Sequence, residues 1–454
     1  MARMPQTVVD ALGRVKGRGR DLMTGQLVHG LCRSLGHRWR NGPLNPANTI
    51  ALFLQQILHG NTACTHTCRL GDLAVTASAY CQARRRLPLA VFEALFAAIT
   101  ARFLSGTARA SRWLGHRVFL LDGSSFSMPD APELAAHFGR PTGQKKGCGF
   151  PVAHLMALCD LGTGLVIDIM ASPLYRGDLT QGVRTHRSLQ SGDVVVGDRV
   201  FGTWGYMALV LQENLHAVVR AHQRLKLSFK PKERGHKRGT YCRLYALGEG
   251  DQVIEWFKPR HRPRWMSAEQ FQAMSRSIIV RVVQYTVRRR GFRTRQVTLL
   301  TTLTDHERYP KSALAELYGR RWEIETNFRD LKQTMGLRTL RCKTVDGVRK
   351  ELMMYAIAYN LVRMACFEAA GRQGVDPRRI SFIDALRSEQ CPPGAPGAPG
   401  APDAGDPPPP LLVNPHRPDR VEPRLTKRRP AQQSYLTVPR AQARQRLLQQ
   451  SLAA

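Results

Sequence analysis

Three acidic residues stand out as candidates for chemistry in a strongly basic chain. Asp122 closes the apolar run RVFLLDG, and Asp198 closes the apolar part of DVVVGDRVFG. Each follows strand-type residues, and in an open α/β sheet sites form at strand ends. If the two strands are neighbours, the carboxylates lie side by side and repel. Hard cations such as Mg2+ relieve such a pair, because they take oxygen ligands and keep several waters. Asp also opens turns, as the Asp122-Gly123 step does, so either residue alone is a weak sign.

The third acid is Glu325, in LYGRRWEIETNFRDLKQ, residues 317–333. On an α-helix Tyr318, Arg321, Glu325 and Lys332 fall within an arc of about 60°. Leu317, Ile324, Phe328 and Leu331 lie immediately beside that arc and form the buried stripe. Glu323 falls on the far, wet side. A glutamate bordering the core is costly unless it is paired or bound to a metal. The plainer reading is an i,i+4 pair of Arg321 with Glu325, worth a few tenths of a kcal/mol.

The overall charge weighs on that choice. The 454 residues hold 68 Lys+Arg against 34 Asp+Glu, a formal net charge of +34. Such an excess points to a polyanion, with nucleic acid first and an anionic membrane as the rival. No run approaches the roughly 18 apolar residues of a membrane span, and the N-terminus lacks a signal-peptide apolar core. The expectation is a soluble, cytoplasmic protein without a membrane partner. Positive charge draws in the phosphate backbone, and three carboxylates make a negative pocket that needs metal. The implied chemistry is phosphoryl transfer on DNA, with two metals clamping an in-line displacement. Arg321 and Lys332 would bind phosphates beside the site, and Tyr318 would hydrogen-bond or stack.

Several elements must position these residues. The first ~110 residues read as helical. TIALFLQQILHG has helical spacing, and SAYCQARRRLP forms a second helix that Ser78 can cap and Pro88 ends. Its three arginines, Arg84, Arg85 and Arg86, suggest a DNA-contacting unit, the alternative being a solvated basic face. Residues 111–221 alternate strand, hairpin, helix, strand, helix, strand, which fits an α/β core with a mixed sheet. Residues 222–303 are β-rich and basic and read as an inserted subdomain. Residues 304–388 return to helix and carry Glu325. Residues 389–454 contain, from Cys391, CPPGAPGAPGAPDAGDPPPP, which cannot pack a core, and continue as a basic tail, so the whole segment is expected to be disordered. Most of the ten cysteines stand singly in apolar surroundings, such as Cys159 and Cys366, and read as reduced core residues. Cys64, His66 and Cys68 form one cluster, but only Cys81 is near to complete a zinc site, so zinc is disfavoured.

Tyr318, Arg321, Glu325 and Lys332 match Y-x2-R-x3-E-x6-K, and the chain resembles the insertion-sequence-four family of DDE transposases. LLDGSSF resembles the first-Asp motif of that family and GDRVFG the second. SAYCQARRRLP resembles a segment in the N-terminal part of many members. The resemblance covers residues ~111–375 strongly, the first 110 in part, and the Pro-rich tail not at all. It implies an RNase H-like catalytic core with a β-rich insertion between the second Asp and the Glu. It implies Asp122, Asp198 and Glu325 as catalytic, metal-binding residues for Mg2+, with Mn2+ as a substitute. It also implies DNA contacts by Tyr318, Arg321 and Lys332. The activity implied is binding of insertion-sequence ends, cleavage, and joining of 3′ ends to target DNA. The partners are then double-stranded DNA (terminal inverted repeats and target) and a second copy in a synaptic homodimer, in a bacterial, nucleoid-associated setting. Members often stack a flipped base on an aromatic residue of the insertion; Trp256 and Trp265 are candidates, and a core role is the plainer reading for each. The rivals are a metal-dependent nuclease that cuts without joining and a non-catalytic DNA-binding protein derived from a transposase.

Overall fold

The structure is a computed structural model. It describes residues 24–390 apart from 72, 108–111, 144, 146, 230–239 and 288–294, together with 410–415 and 436–452. Five helices come first: α1 (Gly25–Ser34), α2 (Pro46–Leu58), α3 (Cys64–Leu70), α4 (Ala77–Arg86) and α5 (Leu89–Thr107). Asn45 caps α2 by accepting from the Asn48 N–H, and Pro46 sits in the first turn, where a missing N–H is harmless. Every residue of α2 is buried. The cap of α4 is Thr76, whose hydroxyl accepts from the Ala79 N–H at 3.1 Å. The helix thus starts before the expected cap, Ser78. Its end at Arg86, just before Pro88, is as expected.

A mixed sheet follows. Its elements are β1 (Val118–Ser127), α6 (Pro132–Phe138), β2 (Val152–Asp160), β3 (Val166–Pro173), α7 (Asp178–Arg184), β4 (Val194–Gly197), α8 (Trp204–Gln212) and β5 (His216–Arg220). The strand order is β3-β2-β1-β4-β5. The β1-β2-β3 meander is antiparallel, whereas β4 runs parallel to β1 and β5 parallel to β4. This is the RNase H-like arrangement that the resemblance implies. The LGTG turn joins β2 to β3, with Gly164 at a φ of 75° that a side chain would resist.

The β-rich segment supplies β6 (Tyr241–Gly248), β7 (Asp251–Phe257), α9 (Ala268–Ala273), β8 (Ser277–Val287) and β9 (Arg295–Thr301). These strands pair antiparallel, and β9 pairs with β5. They therefore prolong the first sheet to nine strands instead of starting another. In doing so they cover β5, which would otherwise be an open edge.

The remaining helices are α10 (Lys311–Gly319), α11 (Glu323–Arg329), α12 (Val345–Gln373), α13 (Phe382–Gln390) and α14 (Arg440–Leu452). The 29-residue α12 is the central pillar. Its middle is buried, and it packs on α2, α5 and β3 within one core. Asn360 on α12 accepts from the Val166 N–H at 2.9 Å and donates to the Val166 carbonyl at 2.8 Å. It also donates to Thr100 on α5 at 3.1 Å, so one buried amide ties three elements with its polar capacity used. Two stretches of the tail expected to be disordered are described. Val413 pairs with Ile380 in an antiparallel bridge, the Leu412 N–H donates to Asp384, and residues 440–452 form α14. The Pro/Gly-rich stretch before them lies outside the described residues.

Candidate active site

The first two acids are placed by strand register. Leu121 of β1 pairs with Gly197 of β4, so Asp122 and Asp198 each follow one member of a paired couple on adjacent parallel strands. Asp122 accepts from the Gly123 N–H at 2.9 Å. Asp198 caps the 3-10 turn Arg199–Phe201 by accepting from the Val200 N–H at 2.8 Å. The glycines of GDRVFG have a steric reason. A Cβ on Gly197 would come within 2.8 Å of the Phe201 ring, and one on Gly202 within 2.2 Å of the Arg220 carbonyl oxygen at the end of β5. The chain leaves β4 in a tight turn over Phe201, which keeps Asp198 at the mouth of the sheet.

The helical run carrying Glu325 is not one uniform α-helix. It passes from α10 through a 3-10 turn (Arg320–Trp322) into α11 and then a π turn (Asp330–Thr334). The stripe of Leu317, Ile324, Phe328 and Leu331 is buried as expected. Glu323 is not on a wet face. It pairs with Arg320 at 2.8 Å and with Arg378 at 2.7 Å, and is half-buried. A helical wheel sees only its own helix, and Arg378 arrives from 55 residues away. Glu325 is more exposed than the wheel implies, its side chain 47% accessible.

Arg321 joins the parts. Its guanidinium donates to Asp122 Oδ2 and to Glu325 Oε1, each at 3.2 Å. The i,i+4 pair is therefore real, but it is half of a bridge that reaches β1. The carboxyl of Asp122 is pushed up to about 6. Burial is the main cause, with Asp198 and Glu325 adding to it, while Arg321 and the Gly123 N–H pull the other way. Burial also raises the Tyr318 hydroxyl; Arg321 and Arg220 oppose the rise and Asp198 adds to it. Lys332 donates to Ser124 on β1 at 3.0 Å, and burial followed by Arg338 lowers its pKa. Five of the six residues named in the core thus gather around the ends of β1 and β4 through direct bonds or close charges, and Lys332 is held two residues beyond Asp122.

The donor set is all carboxylate, which suits a hard divalent cation. Among the described residues no three acidic, His or Cys side chains come close enough to hold an ion as they stand. The Arg321 guanidinium lies between Asp122 and Glu325 and supplies the positive charge there.

A family model described as a Transposase DDE domain matches residues 113–361, more than half of the chain. The chain belongs to the DDE transposase family. It is 27% identical over 315 residues to "Transposase InsG for insertion sequence element IS4" of Escherichia coli (strain K12), covering 68% of this chain and 66% of that one. It is 23% identical over 283 residues to "Putative transposase y4zB" of Sinorhizobium fredii (strain NBRC 101917 / NGR234), covering 62% and 69%. The chain thus spans just under two thirds of the first relative. A solved structure of a piggyBac transposase synaptic complex with hairpin DNA aligns over 86% of this chain and 81% of its own, at 12% identity and a TM-score of 0.42. The family resemblance carried by Tyr318, Arg321, Glu325 and Lys332 is borne out.

In this DDE transposase the arginine triplet, the cysteine cluster for which zinc was disfavoured and the two tryptophans take different places. Arg84 is turned inward: it donates to Gln56 at 2.7 Å and to Cys342 at 3.2 Å, and lies 3.9 Å over the Phe53 ring. Its guanidinium is a strut between the N-terminal helices and Cys342, already engaged within the protein. Arg85 and Arg86 remain exposed. Cys64, His66 and Cys68 do not assemble a metal site: His66 bonds Thr62, Cys68 is buried, and Cys64 faces Cys81 with 3.3 Å between sulfurs. Trp256 is core, and its carbonyl accepts from the Trp204 indole at 2.9 Å. Trp265 is half-buried against Gly205 of α8. Trp256 therefore has the core role that was the plainer reading, and Trp265 is only partly covered.

One pair escaped sequence reasoning. Arg363 of α12 reaches Asp330 at 2.7 Å and Asn327 at 3.2 Å, both partners buried with it. This buried bond pins the π turn that follows Glu325. No local spacing signals it, because its ends are 33 residues apart.

Proposed function

We propose that this protein is a DNA transposase that binds insertion-sequence ends, cleaves the DNA with divalent metal ions, and joins 3′ ends to target DNA. The observation that supports it best is the bridge from Asp122 through Arg321 to Glu325, beside Asp198 on the neighbouring parallel strand. Asp122, Asp198 and Glu325 would hold Mg2+ (or Mn2+), which when bound polarises the attacking oxygen and stabilises the leaving one.

The chain's own residues do the rest. Arg321 keeps Asp122 and Glu325 paired until DNA arrives; its fork then suits a phosphate, which it can grip in two places. Lys332, held by Ser124, presents a second cation on the same side. Tyr318, between Asp198 and Arg321, can donate its hydroxyl to a phosphate oxygen. Asp122 acts ionised, the state that a bound cation would favour against the burial that raises its carboxyl in the metal-free protein. The partners are duplex DNA and a second copy of the chain, because two ends must be joined together. The setting is the bacterial cytoplasm, on the nucleoid.

The test uses a duplex carrying the DNA that flanks the gene, with Mg2+. Glu325→Ala should abolish cleavage and leave end binding within a few-fold. Cleavage without joined products in the native protein would replace the transposase with a nuclease. Unchanged biological effect after Asp122→Ala would replace it with a non-catalytic DNA-binding protein.

A further inference from the structure

A groove of about 740 Å³ opens between α4 and the loop that precedes α2. One wall is the run HRWRN, residues 37–41, and the other is the face of α4 that carries Gln82 and Arg86. The loop alternates: His37 and Trp39 turn inward and are half-buried, while Arg38 and Arg40 point out and are exposed. Trp39 is what fixes that alternation. Its ring stacks on His29 of α1 with centroids 5.2 Å apart and planes 21° apart, and on His37 at 6.2 Å and 19°. With those two imidazoles stacked on it, the indole acts as a clip for the loop. Arg38 and Arg40 have no hydrogen-bond or ion-pair partner among the described residues, and Arg86 has only the neutral Gln82 at 3.3 Å.

The groove lining contains no carboxylate, whereas the two cavities along α12 contain Asp346 and Glu351, and Glu93 and Asp168. Three cations facing one space without a counter-charge repel one another, and an anion that fits the space relieves them. The volume exceeds what one phosphate fills and falls in the range of ligand grooves. Two arginines at i and i+2 on an extended loop sit about 7 Å apart, which suits successive charges along one strand.

We propose that Arg38, Arg40 and Arg86 clamp the sugar-phosphate backbone of duplex DNA in this groove, with Trp39 as the residue that presents them. This rests on the DNA-binding part of the proposed function and gives it a second contact surface, apart from Asp122, Asp198 and Glu325. The clamp is assigned to backbone charge; Asn41 and Gln82 also line the groove, so base reading is the outcome that the scrambled duplex tests.

The experiment measures binding of the full chain to two labelled duplexes over a salt series. One duplex carries the flanking end and the other is scrambled. Each phosphate contact contributes about 0.9 to the slope of log K against log salt. Arg38→Gln/Arg40→Gln should flatten the slope by about 2, and adding Arg86→Gln by about 1 more, equally on both duplexes. Arg38→Lys/Arg40→Lys should restore it. Trp39→Ala, with an unchanged far-UV spectrum, should flatten it although no charge is lost. An unaltered slope in the Gln variants overturns the clamp. A loss confined to the end duplex overturns backbone reading in favour of base reading. Native protein that binds neither duplex would sink the transposase reading itself, a separate result.

Discussion

Asp122→Asn should make the metal-free protein more stable at neutral pH while removing its activity. The carboxyl of Asp122 is raised from 3.8 to about 6 in the folded protein. A folded value above the unfolded one means the native state holds the proton more tightly. Stability is therefore full below about pH 4 and falls as pH rises through about 6. The shift of about two units corresponds to about 3 kcal/mol lost at pH 7 and above. Its side chain is only 22% exposed, so solvent screens little of it. An amide of the same shape avoids that loss and still accepts from the Gly123 N–H. The attraction of Arg321 is already contained in that net shift, so the gain should approach about 3 kcal/mol at pH 8 and fade towards zero below about pH 4. Thermal melts of both proteins in EDTA, from pH 4.5 to 8, read the difference directly. Mg2+ should then raise the melting temperature of the native protein and leave the variant unmoved. A variant whose deficit grows with rising pH would refute the reasoning, since it would make Asp122 a stabilising anion instead of a repelled one.

Other perturbations probe the supports. Arg363→Met should lower stability by about 3–5 kcal/mol, because it strands the buried Asp330 charge, and Arg363→Met/Asp330→Asn should recover part of it in chemical denaturation. Gly202→Ala should cost stability and cleavage together, since its Cβ would meet the Arg220 backbone at 2.2 Å; a melt and a cleavage assay check both. Diamide, which takes up two hydrogens, should convert Cys64 and Cys81 to a disulfide visible by mass spectrometry, and Cys81→Ser should prevent it. Truncation after residue 390 should leave a cooperative melt at a lower temperature, because the Ile380–Val413 bridge and the Asp384 contact are lost.

Local pattern was enough wherever one segment decides its own fate. The apolar runs before Asp122 and Asp198 are strands because short, continuous apolar runs suit a sheet covered on both faces, and the apolar stripe beside Glu325 is buried because its helical spacing is likewise local. The signature Tyr318, Arg321, Glu325 and Lys332 was legible because it lies at fixed spacing within one continuous helical run, even though that run changes from α to 3-10 to α to π turns. What stayed hidden depends on partners distant in sequence. Glu323 is covered by Arg378, Arg84 is pulled inward by Phe53 and Cys342, and Asp330 is met by Arg363. A basic triplet such as Arg84-Arg85-Arg86 looks uniform in sequence, yet packing separates it into one strut and two exposed cations. The same rule explains Arg321. Read on its helix, it is the ordinary partner of Glu325; read in the fold, it also grips Asp122 from 199 residues away. The grip on Asp122 is thus a contact that spacing could point toward and that only the meeting of β1 with the helical run completes.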